Sequence, residues 1–388
     1  MNRLPACIPA LALVLMILVA RPCVATGEPE PATEAPRAAH SLLLDIIRAG
    51  ERWVAVGDRG HVLISDNGVD WRQAREVPVR ATLTRVTFAG GRLWAVGHDT
   101  TIIHSRDMGE TWQLQNFEPE RETPLLDVKF LTGSQGLAVG AYGLVMMTDD
   151  AGETWEAEEM IDLVTSEAIE WPEGYDPDDF NDFDDGAWDD DESWDDDEAW
   201  EDEGDDWTGQ ADDDAWEDDD AWGDDDFYDA DADFDAGCYE FKECHLNGMT
   251  RLDGDRLFMV AERGFGYRSE DGGQTWEAIR FPYPGSMFGV VNQSDCLVAF
   301  GLRGHIQKSC DFGDSWEILE TGSDSSLMGA TVRSDGTVVM VASDGAIVAL
   351  DEDGSIRSRQ HRRGSDLAAV AEGPDGLILV GEDGIQYE

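Results

Sequence analysis

The chain has 388 residues, enough for one large or two ordinary domains, with 84 acidic and 27 basic residues and a formal charge of −57. Residues 161–235 hold 37 of the acids and no Lys or Arg, which leaves 47 acidic against 27 basic residues in the other 313. The balance excludes direct binding to nucleic acid, which needs a basic surface, and no apolar run beyond the N-terminus is long enough for a membrane-spanning helix.

The first 25 residues read as an export signal: Arg3, an apolar stretch Ile8–Val19, then small residues around Cys23-Val24-Ala25, with cleavage placed after Ala25. Cys23 is a weaker candidate for lipid attachment, because Arg21-Pro22 is a poor approach to it. A mature chain starting within Thr26–Arg37 is expected in the periplasm, with no membrane span of its own. Export leaves four cysteines, Cys238, Cys244, Cys296 and Cys310, and an even count in an oxidising compartment suggests two disulfides.

One unit recurs along the chain. Ala55-Val56-Gly57-Asp58-Arg59-Gly60 returns as Ala95–Thr100, Ala138–Gly143, Met259–Gly264, Ala299–Gly304, Met340–Gly345 and Leu379–Gly384. The third residues are spaced by 40, 43, 121, 40, 41 and 39, and the one long interval contains the acidic insert. Seven units of about 40 residues indicate a propeller or solenoid. Within a unit the pattern is short alternating strands and turns; in the second unit strand A is Leu83–Phe88, B Leu93–Gly97, C Thr101–Ser105 and D Thr111–Gln115. The expectation is all-β: a seven-bladed β-propeller of four-stranded antiparallel blades, with blades one to three over 42–160 and four to seven over 244–388.

Strands C and D are joined by a second motif, S-x-D-x-G-x-T-W. Ser105, Asp107, Gly109 and Trp112 match it, as do Ser269, Asp271, Gly273 and Trp276. Asp150, Gly152 and Trp155 come near it, with Ser309, Asp311, Gly313 and Trp316; Asp66, Gly68 and Trp71 form a weaker copy. Its expected role is structural: side chains bond turn amides, Gly takes the positive φ, and Trp anchors the outer strand. The seventh unit ends on a third strand, Ile385-Gln386-Tyr387-Glu388. A strand from Thr33–His40, in the N-terminal segment 26–41, is expected to supply the fourth and close the ring.

These turns and the A-V-G-x-x-G hairpins resemble BNR, or Asp-box, propellers. Seven of them behind an export signal look most like the photosystem II stability/assembly factor family, over about 42–160 and 245–388. The resemblance implies a non-catalytic scaffold that binds membrane-protein assembly intermediates on the exported side. The acidic insert departs from the family pattern.

In a four-stranded meander the B–C and D–A turns share one end. Arg59, Arg263 and Arg303 occupy one place in three B–C turns, which marks a rim for carboxylate-bearing partners. The insert, 161–243, leaves from the same rim, and closing it costs only about 2.5 kcal/mol more than a short loop. Its composition predicts disorder, and its seven tryptophans, Trp171 to Trp222, predict an arm that docks on a partner or on the arginine rim itself. Cys238 and Cys244 are placed to pin its return. With a three-residue B–C turn, Cys296 and Cys310 face each other across one hairpin.

The second functional reading is a sialidase-like or other glycan-acting hydrolase, which needs arginines, an acid and a nucleophile at the channel mouth. Glu262 is the best acid, but no Tyr–Glu pair accompanies it, and His61 and His305, each after a B–C turn, read as surface or turn residues. No zinc site, serine elbow or phosphate loop is present. The expected protein is a monomer without metal or cofactor.

Overall fold

The computed structural model describes residues 29–165 and 244–388; the expected export signal, Cys238 and the tryptophan-bearing part of the insert lie outside the described residues. The repeat units form seven antiparallel sheets, six of four strands and a last one of three. In blade two the strands are Leu83–Ala89, Arg92–Gly97, Thr101–Ser105 and Gln113–Asn116, close to those read from the pattern. The inner (A) strands are Leu43–Ala49, Leu83–Ala89, Leu125–Phe130, Leu246–Arg251, Met287–Gln293, Leu327–Val332 and Leu367–Glu372. Each touches its successor, and the last touches the first, so the seven sheets make one closed ring. Strand B of every blade lies between neighbouring sheets. It is therefore apolar on both faces, as in the fully buried Leu93-Trp94-Ala95-Val96.

The Asp-box turns show why the motif needs its residue types. In blade two the Gly109 amide donates to Ser105 Oγ (2.9 Å), and the Thr111 amide and hydroxyl donate to the two Asp107 oxygens (2.9 and 2.7 Å). Trp112 Nε1 donates to Gly109 O at 3.1 Å. Blade four repeats the set through Ser269, Asp271, Thr275 and Trp276. In blades three and five the Asp150 and Asp311 bonds are kept, whereas Trp155 Nε1 and Trp316 Nε1 have no hydrogen-bond partner. The turn glycine rests on the preceding blade: a Cβ on Gly273 would lie 2.4 Å from Leu137 of blade three. Trp276 then completes an apolar cluster shared by blades three and four, with Leu137, Val139, Met249 and Met259. The box is thus a seam between blades.

Blade one departs from the expected assignment. Its turn is one residue shorter, so Asn67 takes the place of the box aspartate: its Oδ1 accepts from Ser65 Oγ and from the amides of Val69 and Asp70. Asp66 points elsewhere and pairs with Arg52 at 2.6 Å. Trp71 Nε1 reaches out of the blade to Tyr387 Oη at 2.9 Å, and the Tyr387 hydroxyl donates to Val69 O.

Ring closure also differs from the expected strand exchange. Residues 33–40 contribute no strand; Ala38–His40 is a single 3-10 turn. Pro31 and Pro36 lack ladder donors, and the stretch between them is held by blade one instead, Ala32 N donating to Val77 O and Ala35 N to Gln73 Oε1. Ala38 then packs with Leu43, Ile46, Val380 and Ile385 at the junction of blades seven and one, where Trp53 Nε1 also donates to Glu372 O. At its other edge, the insert begins later than the charge pattern indicates. Met160–Leu163 is a short helix, and Thr165 N donates to Trp276 O, so residues 161–165 dock on blade four.

Cys296 and Cys310 are disulfide-bonded, with Cα atoms 4.2 Å apart. The register pairs Leu297 with Ser309, which places the two cysteines opposite each other at the end of the B–C hairpin. The bridge ties strand B to Asp311 of the box. Cys244 is also disulfide-bonded.

Two outcomes are expected. Closing a loop of this length stabilises by about 3 kcal/mol, so Cys296→Ser/Cys310→Ser should lose roughly that amount in urea unfolding. The Ser315 hydroxyl, against opposing desolvation, and the Ser315 amide hold Asp311 down to about 2 from an ordinary 3.8. Asp107 and Asp271, despite desolvation, are likewise lowered by Thr111 and Thr275. A depressed carboxylate contributes stability above its unfolded value and loses it as pH falls through the folded one. Unfolding monitored by tryptophan fluorescence should therefore show stability falling below about pH 4, less steeply in an Asp107→Asn/Asp311→Asn variant.

Candidate functional site

The B–C turns are built to one plan. Arg59, Arg263 and Arg303 are the central residues of three of them, at φ 56°, 54° and 54°, and Asp99, Tyr142 and Asp344 hold the same place elsewhere at positive φ. In two of these turns the glycine that follows is needed for space as well as φ: a Cβ on Gly60 would lie 2.0 Å from Val79 O, and one on Gly304 2.1 Å from Ser323 O, whereas in blade two Thr100 holds that place at φ 50°. The left-handed arginine is therefore pushed outward by the turn. All three arginines are exposed. Arg59 contacts Asp58 at 3.3 Å, and the Arg303 amide donates to Ser326 Oγ. Blades four and five are neighbours, so Arg263 and Arg303 stand on the B–C turns of adjacent blades, whereas Arg59 stands three blades away across the ring.

Around these turns the other candidates have structural employment. Glu262 accepts the His245 amide at 3.0 Å, and His245 packs edge-on against Tyr142. His305 stacks on Tyr283 with ring centroids 3.6 Å apart, and burial lowers its basicity below the usual histidine value. His61 is a correction to the surface reading. It is 95 % shielded, bonded through Nδ1 to Ser41 Oγ, and likewise lowered by burial.

The channel holds a group that the sequence reading missed. Asp45, Arg85 and Asp127 occupy one place on three successive inner strands, directly after a bulge that shifts each register by a residue. Asp45 Oδ2 accepts the Val86 amide of the next blade at 2.9 Å, and Asp127 Oδ2 the Met249 amide at 2.8 Å. Lys129 Nζ lies 3.2 Å from Asp127 Oδ1. Burial pushes the Asp45 carboxyl above the usual carboxylate value, although Arg85 and the Val86 amide pull it down. Burial also opposes the charge on Arg85, but Asp45 and Asp127 raise its pKa above the ordinary guanidinium value. The only sequence signal was the recurring L-x-D or L-x-R at the start of strand A, which needs the three blades placed side by side before it acquires meaning. Among the described residues no His, Cys, Asp and Glu cluster is arranged to hold a metal ion.

Comparison with known proteins gives the group this arrangement resembles. No family model matches the chain. It is 32 % identical over 163 residues to the photosystem II assembly protein Ycf48 of Synechococcus sp. (strain JA-2-3B'a(2-13)), a match covering 38 % of this chain; the chain spans about half, 47 %, of that curated relative. A solved structure described as YCF48 bound to D1 peptide superposes with a TM-score of 0.55 over 92 % of this chain and 93 % of that one, at 16 % identity. Virginiamycin B lyase from Staphylococcus aureus, an enzyme, superposes at 0.60 over 92 % and 96 %, at 8 % identity. The likeness to the lyase is one of fold alone. The chain is thus a seven-bladed propeller similar to the photosystem II assembly factors, in sequence over that stretch and in fold along almost its whole length.

Proposed function

We propose that this protein is an exported, non-catalytic scaffold, an assembly or accessory factor that grips membrane-protein intermediates by the rim bearing Arg59, Arg263 and Arg303. The observation that carries the reading is the exposure of Arg263 and Arg303 on adjacent blades, at left-handed positions where glycine or asparagine would sit more easily. A planar guanidinium on such a turn suits carboxylates of an extended partner segment. The likeness to an assembly protein, and to a structure described as holding a peptide, supports the same class of partner. Against a glycan hydrolase stands the use of Glu262 as a backbone acceptor, the placing of Tyr142 on a turn and of Tyr267 within a blade, and the stacking of Tyr283, in a D–A connection, on His305. The acidic arm, leaving from the same rim, is the natural competitor for those arginines.

The test separates folding from binding. Arg263→Gly/Arg303→Gly should change stability by no more than about 1 kcal/mol, because glycine adopts this φ without cost. The same variant should lose about tenfold or more of its recovery of membrane proteins at low salt. Equal recovery by the variant and the parent would overturn the rim assignment. Deleting 166–243 should tighten capture, and N-terminal sequencing of periplasmic protein should begin at Thr26.

A further inference from the structure

Each of the six fourth strands starts at or just after an apolar residue that packs into the preceding blade. Trp112 shares an apolar cluster with Val54, Trp155 with Trp94, Trp276 with Leu137 and Trp316 with Phe258. Trp71 shares one with Ile378, and in blade six, which has lost the box, Ile356 shares one with Val298. The partner is in every case the residue three places before the end of strand B. At the seam of blades six and seven that residue is Val339. Its cluster is made by strands A to C of the two blades, and among the described residues it includes none from a fourth strand. A seat filled six times is open the seventh.

Two cavities mark the opening. One, of about 520 Å³, is lined by Val339, Ile347, Ala349 and Leu377 together with Arg357 and Arg359. The other, of about 380 Å³, shares Leu377 and Glu388 with it and adds Val69, Tyr387 and Arg362. The first faces blade six and the second blade one, so they flank the line a fourth strand would take beside Gly384–Tyr387. The backbone there is open as well. Leu377 and Glu388 exchange both of their amide bonds, at 2.7 and 3.1 Å, so the antiparallel alternation turns the amide and carbonyl of Tyr387 to the outer edge. Among the described residues no backbone group pairs with them. An unpaired edge of this kind is a template for another strand.

The charge beside the edge is unlike that of the rest of the chain. Four of the 27 basic residues, Arg357, Arg359, Arg362 and Arg363, fall within seven positions. Arg357, Arg359 and Arg363 are exposed and meet Asp351, Glu388 and Asp383; Arg362, also exposed, has no ion-pair partner among the described residues. We propose that the outer edge of blade seven is a docking site for an extended acidic segment of a partner protein. The segment adds the missing fourth strand by backbone pairing and seats an aromatic side chain against Val339. Its carboxylates meet the arginines of blade six and of the connection that follows it. This site is separate from the arginine rim and does not depend on it.

The probe is a peptide of this chain's own most acidic outer strand, Gly152-Glu153-Thr154-Trp155-Glu156-Ala157-Glu158-Glu159. Added to the full 15N-labelled chain at low salt, it should slow hydrogen exchange of the Tyr387 amide at least tenfold. The same peptide with alanine in place of the tryptophan should bind about tenfold more weakly. Arg362→Glu, an exposed change that leaves the fold intact, should weaken binding about fivefold. No slowing at Tyr387 with millimolar peptide, or equal binding of the alanine peptide, overturns the site, and binding undiminished in Arg362→Glu overturns the acidic partner. A Tyr387 amide already protected without peptide and released by deleting 166–243 would give the edge to the chain's own insert. Protection that grows with protein concentration would give it to a second copy. Either result overturns the proposal.

Discussion

No blade of this ring can stand alone, because strand B of each is apolar on both faces and must be covered by two neighbours. The seam between consecutive blades is the interaction from which the rest follows. Where an Asp-box is present, the turn glycine sits where a side chain would strike the preceding blade, and the following tryptophan fills the gap. The aspartate's contribution is indirect. By bonding the amides of its own turn it holds glycine and tryptophan in register with the neighbouring sheet. The motif therefore reads as local chemistry, yet its energetic return lies in contact with another repeat.

Much of this was legible in the sequence because the determinants are local. The Ala-Val-Gly hairpins and the box turns carry their own hydrogen-bond logic within eight residues, and strand boundaries followed within one or two positions. The facing of Cys296 and Cys310 followed from turn length alone. What escaped depends on neighbours distant in the chain. Asn67 replaces Asp66 because a one-residue deletion moves the turn's acceptor, and only the bonded amides reveal it. The 3-10 turn at Ala38–His40 wins over a strand because blade one captures the prolines' short intervening stretch first. Asp45, Arg85 and Asp127 look like scattered charges until bulges and blade order bring them into one channel.

The meander also separates the molecule's chemistry. Strand direction places the arginines of the B–C turns at one end and the Asp-box turns at the other, with the apolar strands between. The two sets of cations differ in kind as well as place. Those on the rim are solvated and suited to screened, adaptable contacts; Arg85 is largely desolvated and held between Asp45 and Asp127.

Blades seven and one are not linked by a connecting segment as every other adjacent pair is. Their junction relies on Trp71 reaching Tyr387, Trp53 reaching Glu372 and the tucked Ala38. A ring held at six joints by packing and chain connectivity and at the seventh by packing alone behaves as a clasped bracelet. Local opening will concentrate at the clasp, and hydrogen exchange there will run ahead of exchange in blade five, where a covalent bridge stitches the sheet.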